Sequence, residues 1–309
     1  MRPFSREEIF RVDPVQVADA MAATLAMVSR GAAVAPIRAH VDLGAGAGTF
    51  LISGVLTELD LLTVKVINVR PANPGEGLDR LQGALTAFTA STGVPVATLD
   101  ARAATEARTA ACSAVSMRLL GRRDASVLTI FGTGPQASAH LRALTAEHDF
   151  EEVRIVGRRE DAARELAASH PHARVVRAQD ALSGAHAVVT ATNSRSPLFA
   201  AGDVEPGTHL MLVGSGSASN AEVEPELLAR ASAIRVDHGP SCLAESGEIV
   251  RAVEAAFIDA LAVRELGEVV IGRADGRGGP DDITVYKSVG NGTQDAGLAA
   301  LLLGMDFRQ

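Results

Sequence analysis

The residues most able to do chemistry fall in a few short stretches. Gly132, Gly134 and Ala137 make a GxGxxA spacing directly after the apolar run of Val127, Leu128, Ile130 and Phe131. In such a spacing the first glycine turns the chain tightly and the second lets backbone approach a pyrophosphate. The third small residue lets the new helix pack on the strand. The helix start then offers free N–H groups and a positive dipole end to phosphate. Further on, Gly157-Arg158-Arg159 closes the next strand-like run, Glu152 to Val156. A dinucleotide fold meets the adenosine ribose there. A carboxylate at this place binds a ribose 2′-hydroxyl, whereas arginines suit a 2′-phosphate. The reading is therefore NADPH, with NADH the less favoured cofactor. Taken alone, the glycines also fit an ordinary strand-to-helix turn, and the arginines a solvated pair. Lys65 is different again, because it interrupts the apolar strand Thr63 to Ile67. An ammonium in a buried strand is too costly to keep without a partner.

The elements that must position these groups are legible in outline. From Ser126 onward, strand-like and helix-like runs alternate: 127–131, 137–148, 152–156, 160–169, 173–177, 187–190, 208–213, 223–230 and 233–236. That alternation predicts an α/β fold with a doubly wound parallel sheet of Rossmann type. Ahead of it, Asp13 can cap a helix that has Pro14 at its first position and runs to Ser29. Strand-like runs follow at Phe50–Ile52, Thr63–Ile67, Leu81–Ala90 and Val94–Leu99, with Gly44, Gly46 and Gly48 read as a loop. Thr105–Leu120 reads as a helix bridging into the nucleotide domain. Glu245–Val263 reads as one helix, Ile283–Tyr286 as a strand, and Thr293–Leu303 as a last helix returning to the first domain. The domains expected are 1–115 with 288–309, an α+β substrate and dimerisation domain, and 116–287, the NADP(H)-binding domain.

Composition bounds the function. The chain has 309 residues and a formal net charge of −8, which argues against non-specific nucleic-acid binding. Two cysteines, Cys112 and Cys242, provide no disulfide framework and no metal-ligand spacing, so no metal is expected. No apolar run approaches membrane-spanning length, and the early charges Arg2, Arg6, Glu7 and Glu8 do not suit a signal peptide. A cytoplasmic protein without a membrane partner is the expectation.

Thr105-Glu106-Ala107-Arg108-Thr109-Ala110-Ala111 and Gly132-Thr133-Gly134-Pro135-Gln136-Ala137 together resemble the ornithine cyclodeaminase/mu-crystallin family. The likeness extends to Val64-Lys65-Val66, Asn73, Gly77-Leu78, Val213-Gly214, Glu222-Val223 and Tyr286-Lys287-Ser288-Val289-Gly290. It implies a homodimeric oxidoreductase that acts on imines of small amino acids with a nicotinamide cofactor. It also implies that Arg38, Lys65 and Arg108 hold the substrate carboxylate, with Lys65 and Arg108 the catalytic pair and Lys65 the proton donor. Arg80, where many relatives have threonine, could serve a second substrate carboxylate or face solvent. Val289 and Gly290 complete the implied substrate set. Thr109, Gly132, Gly134, Pro135, Gln136, Ala137, Arg158, Arg159, Thr192, Val213 and Ser288 make up the implied cofactor set.

The departures from the family pattern are informative. Its cyclodeaminases carry an aspartate where this chain has Gly216, between Ser215 and Ser217. An acidic residue expected after Gly48 reads Leu51. Glycine cannot do acid/base work. The mu-crystallin branch likewise lacks that aspartate and reduces ketimines with NADPH. The expected function is thus an imine reductase or amino-acid dehydrogenase. The alternatives are a catalytically weak NADP(H)- and small-ligand-binding protein, and an ornithine cyclodeaminase.

Overall fold

The computed structural model describes residues 1–307 apart from Ser215. The chain forms two compact units, Met1–Arg108 with the segment that begins at Asn291, and Thr109–Gly290. The divisions fall at 108/109 and 290/291 rather than at 115/116 and 287/288. The first lies inside an unbroken helix, so no loop or change of composition marks it.

The first unit opens with β1 (Arg2–Phe4), α1 (Arg6–Arg11) and α2 (Pro14–Ser29). Ser5 and Glu8 form a reciprocal capping box that starts α1, a helix the sequence reading missed. Asp13 caps α2 through the Val15 N–H at 2.9 Å. Strands β2 (Ala33–Val34), β3 (Ala39–Gly44), β4 (Ala47–Leu56), β5 (Leu61–Val69), β6 (Leu81–Thr89) and β7 (Pro95–Leu99) follow. The glycines read as a loop instead belong to the β3–β4 hairpin, where Gly44 pairs with Ala47. The sheet runs β1-β7-β6-β5-β4-β2, with β3 also on β4. Asp100 caps α3 (Ala101–Leu120) by accepting from the Arg102 and Ala103 N–H groups.

The second unit contains β8 (Val127–Phe131), α4 (Pro135–Glu147), β9 (Glu152–Val156), α5 (Glu160–Ala167), β10 (Ala173–Val175), β11 (Ala187–Thr190) and β12 (His209–Leu212). It continues through α6 (Glu226–Arg230), β13 (Ala233–Val236), α7 (Gly239–Glu245), α8 (Gly247–Glu254), β14 (Val263–Glu265), α9 (Leu266–Val270) and β15 (Thr284–Lys287). Among the described residues every strand pairing in this sheet is parallel, in the order β10-β9-β8-β11-β12-β15-β13-β14. The first five strands have the 3-2-1-4-5 order of a dinucleotide fold. Phe131, Val188, Leu210, Leu212, Val236 and Val285 are among the strand residues of a core that also includes Leu227, Cys242 and Ile249. The single helix expected over 245–263 is wrong. Ser246, extended at ψ 113, ends α7 and caps α8, and the chain then turns into β14.

Helix α10 (Gly292–Leu302) closes the first unit and packs on β4, β5 and α2. A Cβ on Gly54 would lie 2.1 Å from Gly292 C, so only glycine permits this approach of strand and helix backbone. Thr63 Oγ1 donates to Gly292 O at 3.0 Å beside it. The first turn of α10 is thereby laid against the face of β5 that carries Lys65. The opposite face of the sheet keeps Val41, Leu51, Val64 and Ala84 exposed.

Candidate functional site

In the first unit Lys65 stands in the middle of β5 and is 1% exposed. Its Nζ donates to Asp295 Oδ1 at 2.8 Å and to Thr105 Oγ1 at 3.1 Å, and lies 2.7 Å from Asp295 Oδ2. Arg108 is also buried; its Nη1 donates to Gln294 Oε1 at 2.5 Å, and its Nε stands 3.6 Å from Asp295 Oδ1. That Nε makes no hydrogen bond among the described residues. Burial lowers the Lys65 pKa from its ordinary value to about 8. The Asp295 carboxylate works against that shift, while the charges of Arg108 and Arg38 add to it. Arg38 is half-buried, with its guanidinium over the Phe50 ring at 5.1 Å. Lys65, Arg108 and Arg38 are therefore electrostatically one cluster. Arg80 is exposed at the start of β6, where its carbonyl accepts from Arg70 N, and it is not among the charges that act on Lys65.

Asp295 and Gln294 were missed by the sequence reading. They sit in an otherwise apolar terminal helix, and a buried Gln-Asp pair in such a helix is itself a signal, because unpartnered polar groups there are costly.

The second unit holds the glycine turn at the carboxyl end of β8. Gly132 has φ +125, and a Cβ there would meet Ala191 O at 2.4 Å. A Cβ on Gly134 would meet nothing within 4 Å, leaving open space at the start of α4. Pro135 takes the first helical position, two residues ahead of the expected start, where its missing N–H costs nothing. Ala137 is fully buried against the sheet, and Gln136 is half-buried. A cleft of about 1270 Å³ opens here, lined by Gly132, Gly134, Arg158, Arg159, Arg177 and Thr192 among others. Arg159 is committed to Asp161, with Nη2 to Oδ2 at 3.1 Å, and Arg177 to Asp180 at 2.8 Å. Arg158 is exposed and has no ion-pair partner among the described residues. The open space at Gly134, the free N–H groups of a thirteen-residue helix and the arginine rim fit the phosphates of a nicotinamide dinucleotide.

The remaining expected cofactor and substrate residues are held mainly by carboxylates. Thr192 Oγ1 donates to Glu222 Oε1 at 2.6 Å, and Ser288 Oγ to Asp237 Oδ2 at 2.9 Å. Asp237 Oδ2 also accepts from Gly290 N at 2.8 Å, next to Val289. Val213 N donates to Thr190 O, and Thr109 is buried on α3. Gly216 is half-buried between β12 and α6, with no carboxylate of its own. Ser215 lies outside the described residues, and Ser217 Oγ pairs with Ser219 Oγ. Cys112 and Cys242 are buried thiols not joined in a disulfide, and burial pushes the Cys242 thiol up. Among the described residues no cluster of His, Cys, Asp or Glu could hold a metal ion, and no helix is long and apolar enough to cross a membrane.

A family model described as ornithine cyclodeaminase/mu-crystallin family matches residues 6–303. A Delta(1)-pyrroline-2-carboxylate reductase of Bacillus cereus is 31% identical over 277 residues, 87% of this chain and 85% of that protein. The ketimine reductase mu-crystallin of Mus musculus is 31% identical over 245 residues, covering 79% and 75%. Among solved structures, Thermococcus litoralis Delta(1)-pyrroline-2-carboxylate reductase in complex with NADH and L-proline superposes with a TM-score of 0.92. Its identity is 26%, over 98% of this chain and 97% of that one.

Proposed function

The chain belongs to the ornithine cyclodeaminase/mu-crystallin family, and from that premise we propose that it is an imine reductase, or amino-acid dehydrogenase, acting on a small 2-imino acid with NADPH in preference to NADH. The observation that carries this reading is the buried pair of Lys65 and Arg108 on a single carboxylate, Asp295, with the Arg38 charge also acting on Lys65. Lys65 and Arg108, two buried cations, face one buried acid, Asp295, and the excess positive charge suits a substrate carboxylate. Arg108 offers the planar fork that matches it, and its unused Nε is already desolvated. Lys65, with its pKa lowered to about 8, can hold a proton at the imine nitrogen in reduction and accept one from the amine in oxidation. Asp295 and Thr105 fix its Nζ, so the proton is delivered from a set position. A nicotinamide, when bound, supplies the hydride.

NADPH is favoured because the cleft has Arg158 and Arg159 where an NAD site would place an acid. Deamination is not proposed, because Gly216 offers no acid to guide the loss of ammonia. A homodimer through the first unit is proposed from the exposed apolar face of its sheet, built by Val41, Leu51, Val64 and Ala84. Light scattering that finds a monomer at micromolar concentration contradicts it.

The test is NADPH oxidation with pyrroline- and piperideine-2-carboxylates, alongside incubation with ornithine and NADP⁺. Imine reduction is expected, with neither proline nor ammonia formed from ornithine. Proline formation overturns the assignment at Gly216. NADPH binding without any imine reduction would instead make this a binding protein.

A further inference from the structure

We propose that Glu222 is a positioning residue for the nicotinamide half of the cofactor, its carboxylate clamping together the strand ends on which that half would rest. The proposal rests on the reading that the second unit binds NADP(H).

Glu222 was only a landmark in the sequence. In the structure it is 0% exposed and accepts four hydrogen bonds. Oε2 receives Thr190 Oγ1 at 2.7 Å and Gly214 N at 2.9 Å. Oε1 receives Thr192 N at 2.8 Å and Thr192 Oγ1 at 2.6 Å. Thr190 is the last residue of β11, and Gly214 lies just past the end of β12. In a parallel sheet of this order the adenosine half lies over β8, β9 and β10, and the nicotinamide half crosses to the strands beyond β8. Glu222 therefore sits under the half of the site where the chemistry occurs. Its backbone extends the tie. Its carbonyl accepts from Leu198 N, a residue of the cleft wall, and its N–H donates to Glu248 Oε1 at 3.0 Å. Glu248 in turn pairs with Lys287 at 3.1 Å, both fully buried, at the end of β15 and beside Ser288. One buried chain, Glu222–Glu248–Lys287, thus spans the ends of β11, β12 and β15.

The chemistry requires a carboxylate. Hydroxyl donors can rotate away, but one backbone N–H points at each oxygen: Thr192 N at Oε1 and Gly214 N at Oε2. A glutamine in either orientation turns its NH2 against one of them, so one strand end must move.

The experiment titrates NADPH, and separately 2′,5′-ADP as a probe of the adenosine half, into the wild-type protein, E222Q and T190V. In E222Q the Kd for NADPH is expected to rise about tenfold and kcat to fall comparably, while the Kd for 2′,5′-ADP stays within twofold. One lost buried hydrogen bond corresponds to about that factor. T190V, nearly isosteric, removes a single bond of the clamp and should shift NADPH alone by about threefold; it decides the matter if E222Q does not fold. Equal weakening of both ligands marks a general loss of structure and overturns the proposal, as does an unchanged NADPH affinity in both variants. A wild-type protein that binds neither ligand overturns the cofactor reading, and this proposal with it.

Discussion

The two units offer positive charge to anions in opposite ways. In the first, Lys65 and Arg108 are almost wholly buried, and each is fixed by a side chain from α10. In the second, the groups offered are backbone N–H at the start of α4 and the exposed guanidinium of Arg158. Burial makes each charge interaction strong and makes truncation costly, because the partner is left unpaired in a dry site. Exposure makes the rim arginines weak singly and sensitive to salt. On the proposed function, the first region would hold one small carboxylate in a set place, and the second would discriminate between two large cofactors at modest cost.

The sharpest way to break this contrast is Lys65→Met. Loss of a positioned proton donor should lower kcat/KM for imine reduction about a thousandfold, with NADPH affinity kept within a few-fold. Near-normal activity would mean that water supplies the proton. Next, Arg108→Ala should raise the KM for the imino acid by a factor corresponding to roughly 2–5 kcal/mol. A change confined to thermal stability would instead mark a structural arginine.

Asp295→Asn sharpens the comparison through pH. With Lys65 lowered to about 8, kcat/KM for reduction in the wild type should fall as pH rises through about 8, and oxidation of the amino acid should rise. The Asp295 charge raises the Lys65 pKa, so its removal should move both limbs to lower pH, with activity reduced about tenfold. An unmoved profile would show that another group titrates.

In the second unit the effects should be smaller. Arg158→Ala should weaken NADPH about tenfold and NADH hardly at all. Arg159→Ala should do less, since Asp161 already engages that guanidinium. Equal affinities of the wild type for both cofactors would remove the basis for NADPH preference.

The smallest effect is on stability. His140 and His209 are held neutral by burial, with pKa values lowered from 6.5 to about 4 and about 3. His140 bonds to Ser113 and His209 to Ser116, side chains of α3. The unfolded chain binds these protons first, so the stabilisation is fully present above pH 6.5 and is lost as pH falls toward 4 and then 3. Calorimetry should show Tm falling by several degrees between pH 6.5 and 4. His209→Asn should flatten that fall, and an unchanged slope would point to carboxylates alone.

Much of the second unit was legible in the sequence because its logic is local. The run 127–131, the Gly132–Ala137 turn and the alternation of elements depend on contacts within a few dozen residues, where steric and hydrogen-bonding rules act directly. Gly157-Arg158-Arg159 was legible for the same reason, since its place follows from distance along one strand–helix–strand unit. The failures were local as well. The 245–263 stretch has helical composition, but the extended backbone at Ser246 splits it, and α8 ends at Glu254 before a turn with Ala256 at φ +56.

What tertiary structure decided is which distant residue completes each charge. Lys65 announced in sequence that it needed a partner, but nothing local could say that Asp295 supplies it from 230 positions away. That pairing depends on the backbone contact of Gly54 with Gly292, a long-range packing event. Arg108 and Arg80 look alike in the sequence, yet burial separates them: one is held by Gln294 in a dry cluster and the other faces solvent. Glu222 gathers donors from the ends of different strands that come together only once the sheet is formed. Sequence determines local conformation and the kind of chemistry available. The desolvation that gives a charge its strength, and the identity of its partner, exist only after the chain has closed on itself.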